Sequence, residues 1–223
     1  MEELKKTKIS LAFILGGIMV MIYLLIFGVV ILYLLYQNHN VKITQYICAN
    51  SSIGLNFDGY KIIQISDLHG DLPFDKLDRI ERILENEKPD MVVITGDIID
   101  NLHLKYWGKI MGFLDFIEKY NVYYVTGNHE YMHDECRNVI LEIEKRKIKV
   151  LHGERVNITR AESIMFVYGI DDPYVFYGEN IPAKYKTPHY EFIQKLSKIK
   201  VEKNRFSILL THRPEFFEYY VES

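Results

Sequence analysis

Residues 11–36 are the feature that most limits how this chain can fold. This run of 26 residues contains no charged side chain. As a helix it would be about 39 Å long, which is enough to cross a hydrocarbon core of about 30 Å. A buried core helix of this length would normally carry a polar stripe. A cleaved signal peptide has a shorter apolar core and a small-residue cleavage site, and neither is present. We therefore predict an uncleaved transmembrane helix.

The charges that flank this helix predict its orientation. Lys5, Lys6 and Lys8 precede it, whereas only Lys42 follows it closely. Because basic flanks usually stay in the cytoplasm, we expect a single-pass protein of the cell membrane with an extracytoplasmic folded domain. The predicted organisation is a cytoplasmic segment at 1–10, the transmembrane helix at 11–36, a connector at 37–58 and a folded domain at 59–223.

The composition is that of an ordinary globular chain. Apolar residues make up 48% of it, charged residues 26%, and the net charge is −3. Since no basic excess is present, no nucleic-acid partner is expected. Two cysteines, Cys48 and Cys136, suggest neither a disulfide framework nor a zinc site, and whether they pair stays open.

The remainder of the chain alternates short apolar runs with segments of helical spacing. The strand candidates are 61–66, 91–95, 121–126, 149–151, 163–168 and 206–210. The helix candidates are 75–88, 104–120, 135–147 and 187–198. This alternation predicts an α/β architecture with largely buried strands.

Potential ligand side chains directly follow four of the predicted strands. They are Asp67 and His69, Asp97 and Asp100, Asn128 and His129, and His212. Each group taken alone is more often a solvated turn or a helix cap. Ligands of α/β sheets, however, bind beyond the carboxyl ends of strands, where these four groups would converge. Carboxylate, amide oxygen and imidazole suit divalent cations, and a carboxylate can bridge two of them. No glycine-rich phosphate loop is present, which disfavours a nucleotide-binding fold.

Four motifs together resemble the calcineurin-like metallophosphoesterase superfamily. They are Asp67-x-His69, Gly96-Asp97-x-x-Asp100, Gly127-Asn128-His129-Glu130 and Thr211-His212-Arg213-Pro214. The similarity spans roughly residues 59–214, and the segments KIIQISDLHG, PDMVVITGDIID and YGIDDP are similar to a bacterial membrane-anchored branch. The motifs are specific for the superfamily and say little about the substrate.

The resemblance implies a centre of two divalent metal ions, of which Mn, Fe, Zn and Mg are all candidates. Asp67 and His69 would bind the first metal. Asn128 and His212 would bind the second metal, and Asp97 would bridge the two.

The resemblance also implies two catalytic residues outside the ligand set. His129 would act as a general acid near the leaving-group oxygen, and Asp100 would hold that imidazole in place. The adjacent Asp171 and Asp172 have no implied ligand role, and we expect them to form a solvated turn. His152 is expected to be a surface or structural histidine.

The implied fold is α/β: two mixed β-sheets packed face to face and flanked by helices, a four-layer αββα sandwich, in addition to the N-terminal transmembrane helix. The superfamily also has a Gly-His-x-His element that completes both metal sites. Since no such element occurs before Ser223, we expect the domain to be truncated and incomplete at its C-terminus.

The leading functional hypothesis is a metal-dependent phosphoesterase that hydrolyses a phosphomonoester or phosphodiester at the membrane surface. Its position beside the bilayer makes lipid-linked phosphate esters one candidate class of substrate. The alternative is a catalytically impaired, membrane-tethered metal-binding module, because the Gly-His-x-His element is absent.

Overall fold

A computed structural model of the chain describes residues 2–39, 41–70, 76–100, 105–132, 134–176, 188–202 and 205–222. The chain divides into two compact units, Met1–Thr44 and Gln45–Ser223. The first unit contains helix α1, Glu2–His39. Its segment Phe13–Gln37 is long and apolar enough to cross a membrane. The predicted apolar helix is therefore confirmed as one continuous helix.

The second unit contains a four-stranded sheet that is parallel throughout. Its strands, in sheet order, are β1 Ile62–Ile65, β2 Met91–Thr95, β3 Val122–Val125 and β4 Ile148–Val150. All five residues of β2 are buried, because neighbours cover both faces of a central parallel strand. This double burial explains why β2 is an unbroken apolar run.

Six further α-helices follow among the described residues of the second unit. They are α2 Lys76–Glu87, α3 Trp107–Ile117, α4 His129–Met132, α5 Asp134–Glu144, α6 Pro188–Leu196 and α7 Phe217–Glu222. Helix α2 buries Leu77, Ile80 and Leu84, which lie on one face at a helical spacing. The predicted helix starts at 75, 104 and 187 lie outside the described residues.

A second sheet has three strands and mixed direction. Its strands are β5 Arg155–Arg160, β6 Ser163–Gly169 and β7 Ser207–Leu210; β5 and β6 are antiparallel, whereas β6 and β7 are parallel. Strand β5 was not predicted, because only Val156 is buried in it and it lacks an unbroken apolar run such as that of β2.

The two sheets pack face to face around a shared apolar core. This core consists of Phe57, Met91, Val93, Val125, Leu151, Val156, Met165, Val167 and Leu210. The outer face of the second sheet packs Phe166 and Tyr168 against Phe192 and Leu196 of α6. The expected α/β fold of two sheets flanked by helices is confirmed, although the first sheet is parallel and not mixed.

The segment before β1 is partly integrated into this core. Phe57 lies in a short 3₁₀ helix, Leu55–Phe57, and is only 5% exposed. Its ring contacts Tyr60 edge-on, with ring centroids 5.2 Å apart. Phe57, near the end of the predicted connector over 37–58, therefore packs into the core of the folded unit.

Candidate metal centre

The loops that follow β1 and β2 are hydrogen-bonded to each other at one edge of the parallel sheet. Ile65 pairs with Ile94, so the two strands end side by side. The backbone N–H of Asp67 donates to the carbonyl of Gly96 at 3.1 Å, and that of His69 donates to the carbonyl of Asp97 at 2.9 Å. These bonds bring three of the predicted ligand residues into one small region.

The backbone at these residues adopts an uncommon conformation. Asp67, His69 and Asp97 have φ angles of 56°, 53° and 55°. Residues with a Cβ rarely occupy this left-handed region, and such residues cluster at functional sites. Gly96, with φ 88°, has no room for a side chain, because a Cβ there would lie 2.9 Å from Nδ1 of His212.

The Asp97 carboxylate lies at the centre of the cluster, and its side chain is 4% exposed. Its Oδ1 accepts the backbone N–H of His129 at 2.9 Å. Its Oδ2 lies 3.3 Å from Nε2 of His212, and 3.9 Å from Nε2 of both His69 and His129. Two sets of potential ligand atoms share this carboxylate, His69–Asp97–His129 and Asp67–Asp97–His212; within each set the atoms lie within 4.8 Å of one another.

The orientation of His212 is fixed by a backbone carbonyl. Its Nδ1 lies 2.7 Å from the carbonyl oxygen of Thr95. Since a carbonyl only accepts, Nδ1 carries a proton and Nε2 faces Asp97. Burial disfavours the imidazolium, but the hydrogen bond and charge of Asp97 outweigh burial and raise the pKa of His212 to about 9. The site thus favours positive charge at this point.

The same contacts act on the carboxylate of Asp97. Burial alone would raise its pKa, but the hydrogen bond from His212 and the backbone N–H of His129 lower it. A buried ionised carboxylate surrounded by imidazoles and a second carboxylate, Asp67, is a donor set that fits divalent cations.

Residues 60–223 match the family model described as calcineurin-like phosphoesterase. The chain belongs to this family. An uncharacterized metallophosphoesterase of Aquifex aeolicus is 28% identical over 158 residues, which are 69% of this chain and 55% of that protein. A transmembrane protein with metallophosphoesterase domain of Bos taurus is 27% identical over 106 residues, 47% of this chain and 24% of that protein.

The matches cover between 23% and 55% of the length of these curated relatives. Among solved structures, GAP50, the anchor in the inner membrane complex of Plasmodium, has a TM-score of 0.45 at 14% identity and covers 73% of this chain and 60% of that chain. The predicted family is confirmed, whereas its bacterial membrane-anchored branch stays a prediction. Helix α1 is long and apolar enough to cross a membrane, and two of the relatives are described as transmembrane proteins with a metallophosphoesterase domain.

The structure places Asp100 beside the cluster, whereas the side chain of Asn128 contacts Met132. Asn128 directly precedes α4, and its side-chain amide donates to Sδ of Met132 at 3.5 Å. Oδ2 of Asp100 lies 3.7 Å from Nδ1 of His69. The ring of His129 meets that of His69 edge-on, with centroids 4.7 Å apart. The predicted contact between Asp100 and His129 stays a prediction.

Glu130 is a site residue to which the sequence analysis assigned no role. Its carboxylate is fully buried. Oε2 accepts the backbone N–H groups of Asp97 at 3.0 Å and Gly127 at 2.7 Å, and Oε1 accepts that of Ile98 at 2.8 Å. Burial and the charge of Asp97 raise the pKa of Glu130, and the three N–H groups oppose that shift. Glu130 therefore ties the loop after β2 to the loop after β3.

The expected solvated turn at Asp171 and Asp172 is wrong. These residues are 2% and 1% exposed. Asp171 accepts a hydrogen bond from Oγ1 of Thr126 at 2.9 Å, and it lies 2.8 Å from Nδ1 of His152 and 3.3 Å from Nζ of Lys195. The turn is buried because its charges have partners on neighbouring elements, which local sequence does not reveal.

His152 should make folding stability depend on pH. The hydrogen bond that His152 donates to Asp171 outweighs burial and raises the pKa of His152 above its usual 6.5. The charges of Asp171 and Glu154 and a hydrogen bond to Glu144 act in the same direction. The resulting stabilisation is complete below the unfolded-state pKa and is lost as the pH rises through the higher folded-state pKa. We expect the Tm to fall more steeply in the wild type than in His152→Gln as the pH rises above 6.5.

Thermal melts of the metal-free proteins check this prediction. Other groups, including His212, titrate in the same interval, but they do so in both proteins and cancel in the comparison. Parallel pH profiles for the two proteins would contradict the proposed protonation of His152.

Proposed function

We propose that this chain hydrolyses a phosphomonoester or phosphodiester at a centre of two divalent metal ions. The proposal rests on one observation: the buried carboxylate of Asp97 belongs to both sets of potential ligand atoms. When bound, the two ions polarise the phosphoryl oxygens and lower the pKa of a water molecule. The chain supplies the ligands, their orientation and a proton donor.

In this proposal Asp67 and His69 would hold the first ion, Asn128 and His212 would hold the second, and Asp97 would bind both. Oδ1 of Asp67 lies 3.8 Å from Nε2 of His69, which supports their common ion. By distance the potential ligand atoms form the sets Asp67–Asp97–His212 and His69–Asp97–His129, which supports two neighbouring ions that share Asp97. The division of the other ligands between the two ions follows the family resemblance.

His129 is proposed to donate a proton to the leaving-group oxygen. Its backbone is fixed by Asp97, and its side chain is 29% exposed, so that a substrate can reach the ring. Asp100, whose side chain is 9% exposed, is proposed to orient an imidazole. Its 3.7 Å distance to Nδ1 of His69 supports this role most directly for His69.

The proposed setting is the extracytoplasmic surface of the cell membrane, with α1 as a single-pass anchor and the N-terminus in the cytoplasm. The excess of lysine before the apolar segment supports this orientation. Phosphate esters linked to lipid are the substrate class that this setting favours.

Removal of metal should abolish hydrolysis. The full chain in detergent micelles, treated with EDTA, is expected to leave p-nitrophenyl phosphate and bis(p-nitrophenyl) phosphate intact, and added Mn²⁺, Fe²⁺, Zn²⁺ or Mg²⁺ should restore release of nitrophenol. Calorimetric titration of the same samples measures metal binding separately. Metal binding without hydrolysis would favour the tethered metal-binding module, and absence of both would end the proposal.

A further inference from the structure

A buried ion pair lies directly beside His212. The side chain of Asp172 is fully buried, whereas that of Arg213 is 25% exposed. Arg213 donates from Nε to Oδ2 of Asp172 and from Nη2 to Oδ1 at 3.4 Å. Such two-point contacts fix the direction of a guanidinium more firmly than a single contact does.

The backbone on both sides of His212 is held as well. The hydroxyl of Tyr220 donates to the carbonyl of Arg213 at 2.6 Å. Because its one proton is used there, Thr211 donates from Oγ1 to the Tyr220 oxygen at 2.9 Å. The position of the His212 backbone therefore depends on how firmly its two neighbours are held, and the contact with the Thr95 carbonyl then orients the ring.

Asp172 is also attached to the loop that carries Asn128 and His129. Its backbone N–H donates to Oγ1 of Thr126 at 3.3 Å, and its Oδ1 accepts the N–H of Tyr174 at 2.8 Å. Thr126 ends the segment that leads from β3 into this loop. Asp172 thus connects two of the loops that meet at the candidate metal centre.

The charges around Arg213 indicate that its guanidinium stabilises the protein and does not bind the substrate. Its Nη1 lies 3.3 Å from a second carboxylate, that of Glu215, whose side chain is 54% exposed. With two carboxylates beside it, the guanidinium has little net attraction left for a phosphate. Its contact with buried Asp172 can instead fix the loop that carries His212.

We propose that Asp172 is a positioning residue that acts through Arg213 to hold His212 in the orientation needed to ligate a metal. The inference rests on the proposed function, because it assumes that His212 is a ligand. Ligands must be held to within about 0.5 Å for productive binding, so a loosened loop should weaken metal affinity.

The test measures Mn²⁺ affinity of the EDTA-treated full chain by calorimetric titration. Asp172→Asn keeps the size of the side chain but removes its charge, and we expect Mn²⁺ to bind about tenfold more weakly. Arg213→Gln should have a similar effect. The double variant should bind no more weakly than either single one, because both act through one contact. Glu215→Gln is the matched control, since it removes the exposed partner of the same arginine and should change affinity by less than about twofold.

A merely structural role would give a different pattern. It would lower the Tm of the metal-free protein while leaving Mn²⁺ affinity unchanged, and that result would overturn the inference. If Asp172→Asn fails to fold, Arg213→Gln at the partly exposed arginine decides the question alone, and wild-type affinity in that variant would overturn the inference. A wild-type chain that binds no Mn²⁺ would overturn the proposed function, and this inference with it.

Discussion

Asp97→Asn should reduce phosphoester hydrolysis by more than about a hundredfold, because changes to residues that only support a metal ligand already cost about 10- to 100-fold. Asp97 belongs to both sets of potential ligand atoms found among the described residues. An asparagine retains one oxygen, which can still accept the N–H of His129. It loses the negative charge that two cations would share, so Mn²⁺ binding should weaken together with the rate.

The matched control lies at the other end of the same strand. Asp90 directly precedes β2, accepts the backbone N–H of Lys61 at 2.8 Å and lies 3.8 Å from Arg160. Asp90→Asn should leave the rate of hydrolysis within about twofold of the wild type. Assays with bis(p-nitrophenyl) phosphate and Mn²⁺ measure both variants. An Asp97→Asn protein within about tenfold of the wild-type rate would contradict the central role of this carboxylate.

The parallel sheet could be predicted because a strand that is buried on both faces has an unbroken apolar sequence. Strand β2 is an apolar run without interruption, and every one of its residues is buried. Strand β5 has no such apolar run: Val156 is its only buried residue, and polar residues separate its apolar ones. Its identity as a strand depends on pairing with β6, which is a contact between distant segments.

The convergence of the ligand residues at one edge of the sheet could be predicted from the parallel direction of the strands. Parallel strands end at the same edge, so residues placed directly after them converge. The bond from His69 to Asp97 and the 3.3 Å approach of His212 to Asp97 follow from that placement. The sequence does not distinguish ligand from proton donor, because an imidazole can be either. The structure puts Nε2 of His69 and of His129 at the same 3.9 Å distance from Asp97.

The supporting carboxylates could not be predicted, because their partners are mostly distant in sequence and partly backbone. Glu130 accepts N–H groups from residues 32 and 33 positions away, and backbone groups have no sequence signature. Asp172 reaches Arg213 across 41 positions. Local sequence shows each as one more polar residue in a loop, whereas the fold buries both.

Glu130→Gln should lower the free energy of unfolding by about 3 kcal/mol, since it disrupts charge-assisted hydrogen bonds and leaves buried donors without acceptors. The wild-type carboxylate accepts three backbone N–H groups, two at Oε2 and one at Oε1. A glutamine offers one acceptor oxygen, and its NH₂ group would face a backbone donor at the other position. The loops after β2 and β3 would then separate, and metal affinity should fall with stability.

Urea unfolding of the metal-free proteins measures this effect, and Glu154→Gln provides the matched control. Glu154 also accepts a backbone N–H, that of His152 at 2.8 Å, but it is exposed, so water can replace the lost bond. Its substitution should change stability by less than about 0.5 kcal/mol. Both variants exchange a carboxylate for an amide, so the difference between them measures the combined effect of burial and of the two additional N–H groups that Glu130 accepts. Equal and small losses would show that the three N–H groups of the site find other acceptors, and that Glu130 is not what joins the two loops.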